Sequence, residues 1–104
     1  MTKMVAVTAC IAGIAHTYMS KANLEKFAKK NGVEIKVETQ GAMGMENKLS
    51  EADIKAADVV IFAVDTNVSE RERFEGKKIL TVGTSEVVRD GEKTIEQALA
   101  LIHN

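Results

Sequence analysis

The stretch VTACIAGIAHTYM, residues 7 to 19, gathers the parts of an anion-accepting nucleophile within eight residues. It runs an apolar segment into Cys10, the chain's only cysteine, then through Ile11, Ala12, Gly13, Ile14 and Ala15 into a helix carrying His16 and Thr17. A loop of small and aliphatic residues leaves its backbone N–H groups accessible. The helix N-terminus adds unpaired N–H groups and a dipole that favour an anion. A thiol placed there has its thiolate stabilised, and the same dipole can hold a phosphoryl group attached to the sulfur. His16 could donate to that group or support the thiolate, and Thr17 adds a hydroxyl. Plainer roles exist for the same residues: a small core hydrophobe for Cys10, a cap or surface residue for His16, and a loop common to any doubly wound fold.

The flanking elements decide whether such a loop is presented at all. MVAVTA, 4 to 9, reads as a fully buried strand, and the pattern from Ile14 to about Lys30 is helical. On a wheel at about 100° per residue, Lys21, Glu25, Lys26 and Lys29 share one side. Leu24 and Phe27 lie opposite with the small polar Ser20 and Asn23, which allows close approach to a sheet. Asn31-Gly32 ends the helix. VEIKVET, 33 to 39, alternates Val33, Ile35 and Val37 with Glu34, Lys36 and Glu38, the mark of an edge strand with one wet face. A loop with Gly41 and Gly44 follows. Ser50 and Asp53 signal a capped short helix through about Ala57. VVIFAVD, 59 to 65, is an apolar run typical of a central strand. Ser69 and Glu72 suggest a second capping box over SERERF, closed by Gly76. KKILTVG reads as a fourth strand, and Glu92 to His103 as a closing helix. Arg71, Arg73, Lys77 and Lys78, balanced by Glu70, Glu72 and Glu75, read as a solvated face.

Strand and helix thus alternate along one domain, residues 1–104, which predicts an α/β fold. Right-handed crossovers favour a four-stranded parallel sheet of order 2-1-3-4 with helices on both faces, a Rossmann-like open three-layer architecture. Strands 1 and 3 then send their connections in opposite directions, opening a crevice at their carboxyl ends. Cys10 follows the first of these strands and Asp65 ends the other. Gln40 and Gly41 leave strand 2 at the same sheet end and could line a docking surface. Tyr18, on the charged side of the first helix, is a candidate partner contact.

Composition removes several alternatives. Lys plus Arg is 14 and Asp plus Glu is 15, a net charge of −1 that argues against nucleic-acid binding. Three Phe, one Tyr and no Trp leave little for stacking bases. One cysteine makes neither an internal disulfide nor a four-ligand zinc site, and no second thiol exists to resolve a mixed disulfide. No apolar stretch approaches the ~20 residues of a membrane span, so no direct membrane insertion is expected. The N-terminus lacks a signal-peptide pattern, which points to the cytoplasm.

VTACxxGIAHTYM, followed by VEIKVETQG and GMENKLSEADI, resembles the fructose-family IIB component of the bacterial sugar phosphotransferase system. The resemblance covers about Val5 to Phe74 and is weaker beyond. It implies that Cys10 accepts a phosphoryl group from a phosphohistidine on a IIA partner. That group would pass to a sugar held by a membrane IIC partner, which keeps this chain at the inner face of the membrane. No metal or organic cofactor is implied, and the isolated chain is expected to be monomeric. The family loop usually reads C-P-T-G-I-A-H-T; here Ile11 and Ala12 replace the proline and threonine, removing one hydroxyl and adding one backbone N–H.

Two rivals remain. A low-molecular-weight phosphatase also forms phosphocysteine, but it uses Cys-x5-Arg, whose guanidinium grips two phosphate oxygens. His16 occupies that arginine's position, and Asp65 would have to serve as the acid. The other rival is an interaction module that kept the fold and lost the chemistry, an option raised by Ile11 and Ala12.

Overall fold

The computed structural model describes residues 2–9, 14–41 and 44–103. β1 (Lys3–Ala9) is buried from Met4 onward, as an apolar run covered on both sides requires. α1 (Ile14–Lys30) buries Thr17, Ser20, Leu24 and Ala28, a stripe at helical spacing whose small members let the helix lie close to the sheet. Gly32, at φ +69°, turns the chain out of the helix. β2 (Glu34–Gly41), β4 (Val59–Val64) and β5 (Ile79–Val82) complete the parallel set.

The sheet has five strands, not four, and is mixed. β3 (Gly44–Glu46) pairs antiparallel with β2, giving the order β3-β2-β1-β4-β5. The four parallel strands stand in the expected 2-1-3-4 sequence, but VEIKVET is not an edge. Gly44, at φ +89°, takes a conformation that glycine adopts without strain, and Gly41 and Gly44 face each other across the hairpin.

α3 (Thr84–Arg89) and α4 (Gly91–Ile102) join α1 on one face, where Leu24, Val87 and Ile95 pack on Met4, Ala6, Val37 and Ile61. α2 (Glu51–Ala56) and a 3-10 turn (Arg71–Phe74) cover the other face, where Ile54 and Phe74 pack on Val5, Val7 and Phe62. Phe62 and Phe74 meet edge to face with centroids 5.2 Å apart.

The Ser50–Asp53 capping box forms in both directions. Asp53 is held down to about 2 by the Lys36 ammonium first and then by its bonds with Ser50. The second expected box does not form. The 3-10 turn starts after Glu70, which sits at φ +56° with no side-chain cap, while the Ser69 N–H donates to Gln40 instead. The basic cluster is largely exposed, as expected, with Glu70, Arg71, Glu72, Glu75 and Lys78 on the surface, but its lysines also have backbone partners. Lys77 Nζ donates to the carbonyls of Lys55 and Ala57, and Lys78 Nζ to those of Leu101 and Ile102, so each lysine closes a helix C-terminus. Arg73 is committed to the interior. Among the described residues, no helix is long and apolar enough to cross a membrane.

Gly91 shows how closely α4 approaches α1. A Cβ there would lie 2.8 Å from Phe27 Cδ2 and 3.1 Å from Asn23 Cβ. Gly91→Ala should therefore lower unfolding free energy by about 1–3 kcal/mol. Urea denaturation measures this, and an unchanged midpoint would show that the α1–α4 contact yields freely.

Candidate functional site

The site assembles from the carboxyl ends of three adjacent strands. Ala9, the last residue of β1, stands in register between Gln40 of β2 and Val64 of β4. The next residues, Cys10, Ile11, Ala12 and Gly13, lie outside the described residues; Ile14 and Ala15 open α1. From β1 the chain passes to α1 on one face, and from β4 to the 3-10 turn on the other. Connections parting in this way create the ligand-binding switch point of an open α/β sheet.

The first turns of α1 sort their side chains by face. His16 is exposed, whereas Thr17 is buried and its hydroxyl has no hydrogen-bond partner among the described residues. The hydroxyls of Thr8 and Thr39 are likewise buried and unpaired. These two are register partners, and alternation puts them on the α1 face with Ala6 and Val37. A buried hydroxyl without a partner costs about 1–3 kcal/mol, so Thr17 brings an unspent donor to the start of the helix. Tyr18 and Met19, 40% and 49% exposed, place adjacent apolar surface just beyond His16. The Tyr18 hydroxyl donates to the Glu46 carboxylate on β3, which holds the phenol above its ordinary pKa.

Asp65, expected to end the strand, lies just beyond β4. Its N–H donates to the Ala9 carbonyl at 2.9 Å, and its carboxylate accepts from the N–H and hydroxyl of Thr84 where α3 begins. Gly41 is exposed at the hairpin. Gln40 is almost entirely buried, so its side chain serves the scaffold and offers little docking surface. Its Nε2 donates to Glu38 Oε2 at 2.7 Å, and its Oε1 accepts from the Ser69 N–H at 2.8 Å.

Glu38 corrects the expected wet face of β2, because its side chain is fully buried. Arg73 grips it with two parallel bonds of 2.9 Å, and the Leu49 N–H donates to it at 2.9 Å. Burial alone pushes this carboxyl up. The Arg73 fork, then Gln40 and the Leu49 N–H, outweigh that and hold it below the usual carboxylate range. The network went unread in the sequence because Glu38 and Arg73 stand 35 positions apart. Among the described residues, no group of three His, Cys, Asp or Glu side chains could hold a metal ion.

The α/β fold with its switch point at the end of β1 fits one family over nearly the whole chain. Residues 5–97 match the model described as PTS system, Lactose/Cellobiose specific IIB subunit, and the chain belongs to this IIB family of the phosphotransferase system. It is 51% identical over 89 residues to PTS system fructose-like EIIB component 2 of Escherichia coli K12, covering 86% of this chain and 84% of that one. It is 47% identical over 98 residues to the 2-O-alpha-mannosyl-D-glycerate-specific EIIABC component of the same strain, covering 94% of this chain and 15% of that protein. A crystal structure of a domain from the fructose-specific IIABC component of Borrelia burgdorferi superposes with a TM-score of 0.89 at 47% identity, covering 93% and 92% of the two chains.

Proposed function

We propose that this chain is the IIB phosphoryl carrier of a fructose-type sugar phosphotransferase system and that Cys10 is its acceptor. One observation carries the reading: Ala9, the residue before Cys10, ends its strand between Gln40 and Val64 at the switch point, and α1 begins at Ile14. The Cys10 thiolate attacks the phosphorus of a IIA phosphohistidine. An S–P bond forms, the N–P bond breaks, and its electron pair stays on the imidazole nitrogen. In the second step a sugar hydroxyl oxygen, held by the IIC partner, attacks the same phosphorus, its proton passes to a base or water at the IIC site, and the sulfur leaves as thiolate. Backbone N–H groups of residues 11 to 16 hold the charge in transit. His16 and the Thr17 hydroxyl, both in the first turns of α1, assist, and Ala12 stands in sequence where the family has its threonine. Tyr18, with Met19 beside it, meets the partners. The carrier works in the cytoplasm, drawn to the membrane's inner face through IIC.

Phosphatase chemistry would need a guanidinium where this chain has His16. Arg73 is spent on Glu38 and the Glu70 carbonyl, Arg71 lies 5.3 Å from the Phe62 ring centroid, and Arg89 is exposed in the last turn of α3. Incubation with phosphorylated IIA, followed by intact-mass measurement, should add one phosphoryl group that maps to Cys10 and is removed by iodine. An unmodified mass would favour the interaction module, and steady turnover of an aryl phosphate would favour the phosphatase.

A further inference from the structure

The segment between β4 and the 3-10 turn takes a path the fold class alone does not require. It starts at Asp65, whose N–H is bonded to the Ala9 carbonyl of β1. Four residues later Ser69 is bonded to Gln40 of β2: its N–H donates to Gln40 Oε1 at 2.8 Å and its carbonyl accepts from Gln40 Nε2 at 3.2 Å. Since β1 lies between β4 and β2, residues 65–69 pass across the carboxyl end of β1. Val68 fixes the middle of the crossing by packing into the core on the Phe62 side. Ala9, the last residue of β1, is the residue before Cys10 in the chain. The strap therefore adjoins the end of the strand that leads into the proposed nucleophile.

What holds the strap is built in layers. Gln40 makes both bonds to Ser69, and its amide is oriented by Glu38. Glu38 is locked by the Arg73 fork, and Arg73 returns to the strap's far end through Nε to the Glu70 carbonyl at 3.0 Å. Glu70 itself is left-handed at φ +56°, a conformation costly for a non-glycine residue and sustained only by its surroundings. The Lys48–Glu70 ion pair at 3.1 Å adds a contact from the segment after β3.

We propose that Asp65–Ser69 is a strap walling the phosphoryl-transfer site and that Gln40, braced by Glu38 and Arg73, is the positioning residue that latches it across the carboxyl end of β1, the strand that leads into Cys10. The proposal rests on Cys10 as the phosphoryl acceptor, and its test separates the two. In the wild-type protein the Ser69 amide should be among the slowly exchanging hydrogens of its loop; free exchange would overturn the latch without any variant. Gln40→Leu removes both strap bonds while keeping an apolar side chain of similar length. With the fold verified by circular dichroism, Cys10 alkylation by iodoacetamide should rise severalfold as the wall loosens. Phosphoryl transfer from phosphorylated IIA should lose about tenfold or more in kcat with donor KM nearly unchanged, as misplacement of a reacting group produces. Arg73→Lys, which keeps the charge but loses the fork, should fall between wild type and Gln40→Leu in both assays. Alkylation equal to wild type in a folded Gln40→Leu protein overturns the proposal. If the wild-type chain accepts no phosphoryl group, the carrier reading fails, while alkylation and exchange still judge the latch.

Discussion

Cys10→Ser is expected to fold like the wild type and to accept essentially no phosphoryl group from phosphorylated IIA, with transfer falling to about a thousandth or less. The replacement trades one sulfur for oxygen, so volume and polarity change little. The chemistry changes greatly. A thiol near a helix N-terminus supplies its anion at neutral pH, while a serine hydroxyl needs a base to remove its proton. The site offers poor material for such a base. Asp65 is engaged by Thr84, and Glu38 is enclosed by Arg73, Gln40 and Leu49. His16, exposed in the first turn of α1, is a further candidate, and the double replacement Cys10→Ser with His16→Ala closes that route. Transfer is read by intact mass and by sugar phosphorylation with IIA and IIC present. Sugar phosphorylation near the wild-type rate in the single variant would take the cysteine out of the mechanism.

The parts of this arrangement that reside in local patterns were readable from the chain. VVIFAVD announces a covered strand, Ser50 and Asp53 announce a capped helix, and Asn31-Gly32 announces a stop, because each signal is complete within a few residues. The misread parts depend on partners far away in sequence. Glu38 fits a period-two alternation with Glu34 and Lys36, and the pattern alone sends all three to water. The bend of the chain after β4 brings Arg73 under the sheet and turns the last of them inward. Ser69 and Glu72 have the spacing of a capping box, yet Gln40 takes the Ser69 N–H and the helix never starts there. β3 is only Gly44–Glu46, too short for alternation to show, and depends on β2 already being in place. Within the candidate site, the residues near Cys10 can be proposed from the chain because they are contiguous in sequence. The strap and its latch cannot, since they join β2 to the segment after β4.

The same pair should dominate stability. Arg73→Met is expected to lower unfolding free energy at pH 7 by about 3–5 kcal/mol, the range for breaking a buried ion pair by removing one partner. At roughly 4–8 °C per kcal/mol for a domain of this size, the melting temperature should fall by at least ~12 °C. The pH dependence identifies the cause. In the wild type, Glu38 is held below the ordinary carboxylate range. Its stabilising contribution is therefore complete above the unfolded value of about 4.3 and is lost as pH falls through the folded value. Without the guanidinium, burial dominates and raises the Glu38 carboxyl above the unfolded value. The penalty of the ionised, buried group is then fully present at high pH and relieved as acid protonates it. The gap between wild type and variant should thus narrow steadily from pH 7 toward pH 4, measured by urea denaturation across that range. Glu38→Leu combined with Arg73→Met removes both charges and should recover most of the loss, because no uncompensated ion is left inside. A gap constant with pH would mean that Arg73 supports the fold through its packing on Phe74, whose ring centroid lies 4.9 Å from the guanidinium, and not through its charge.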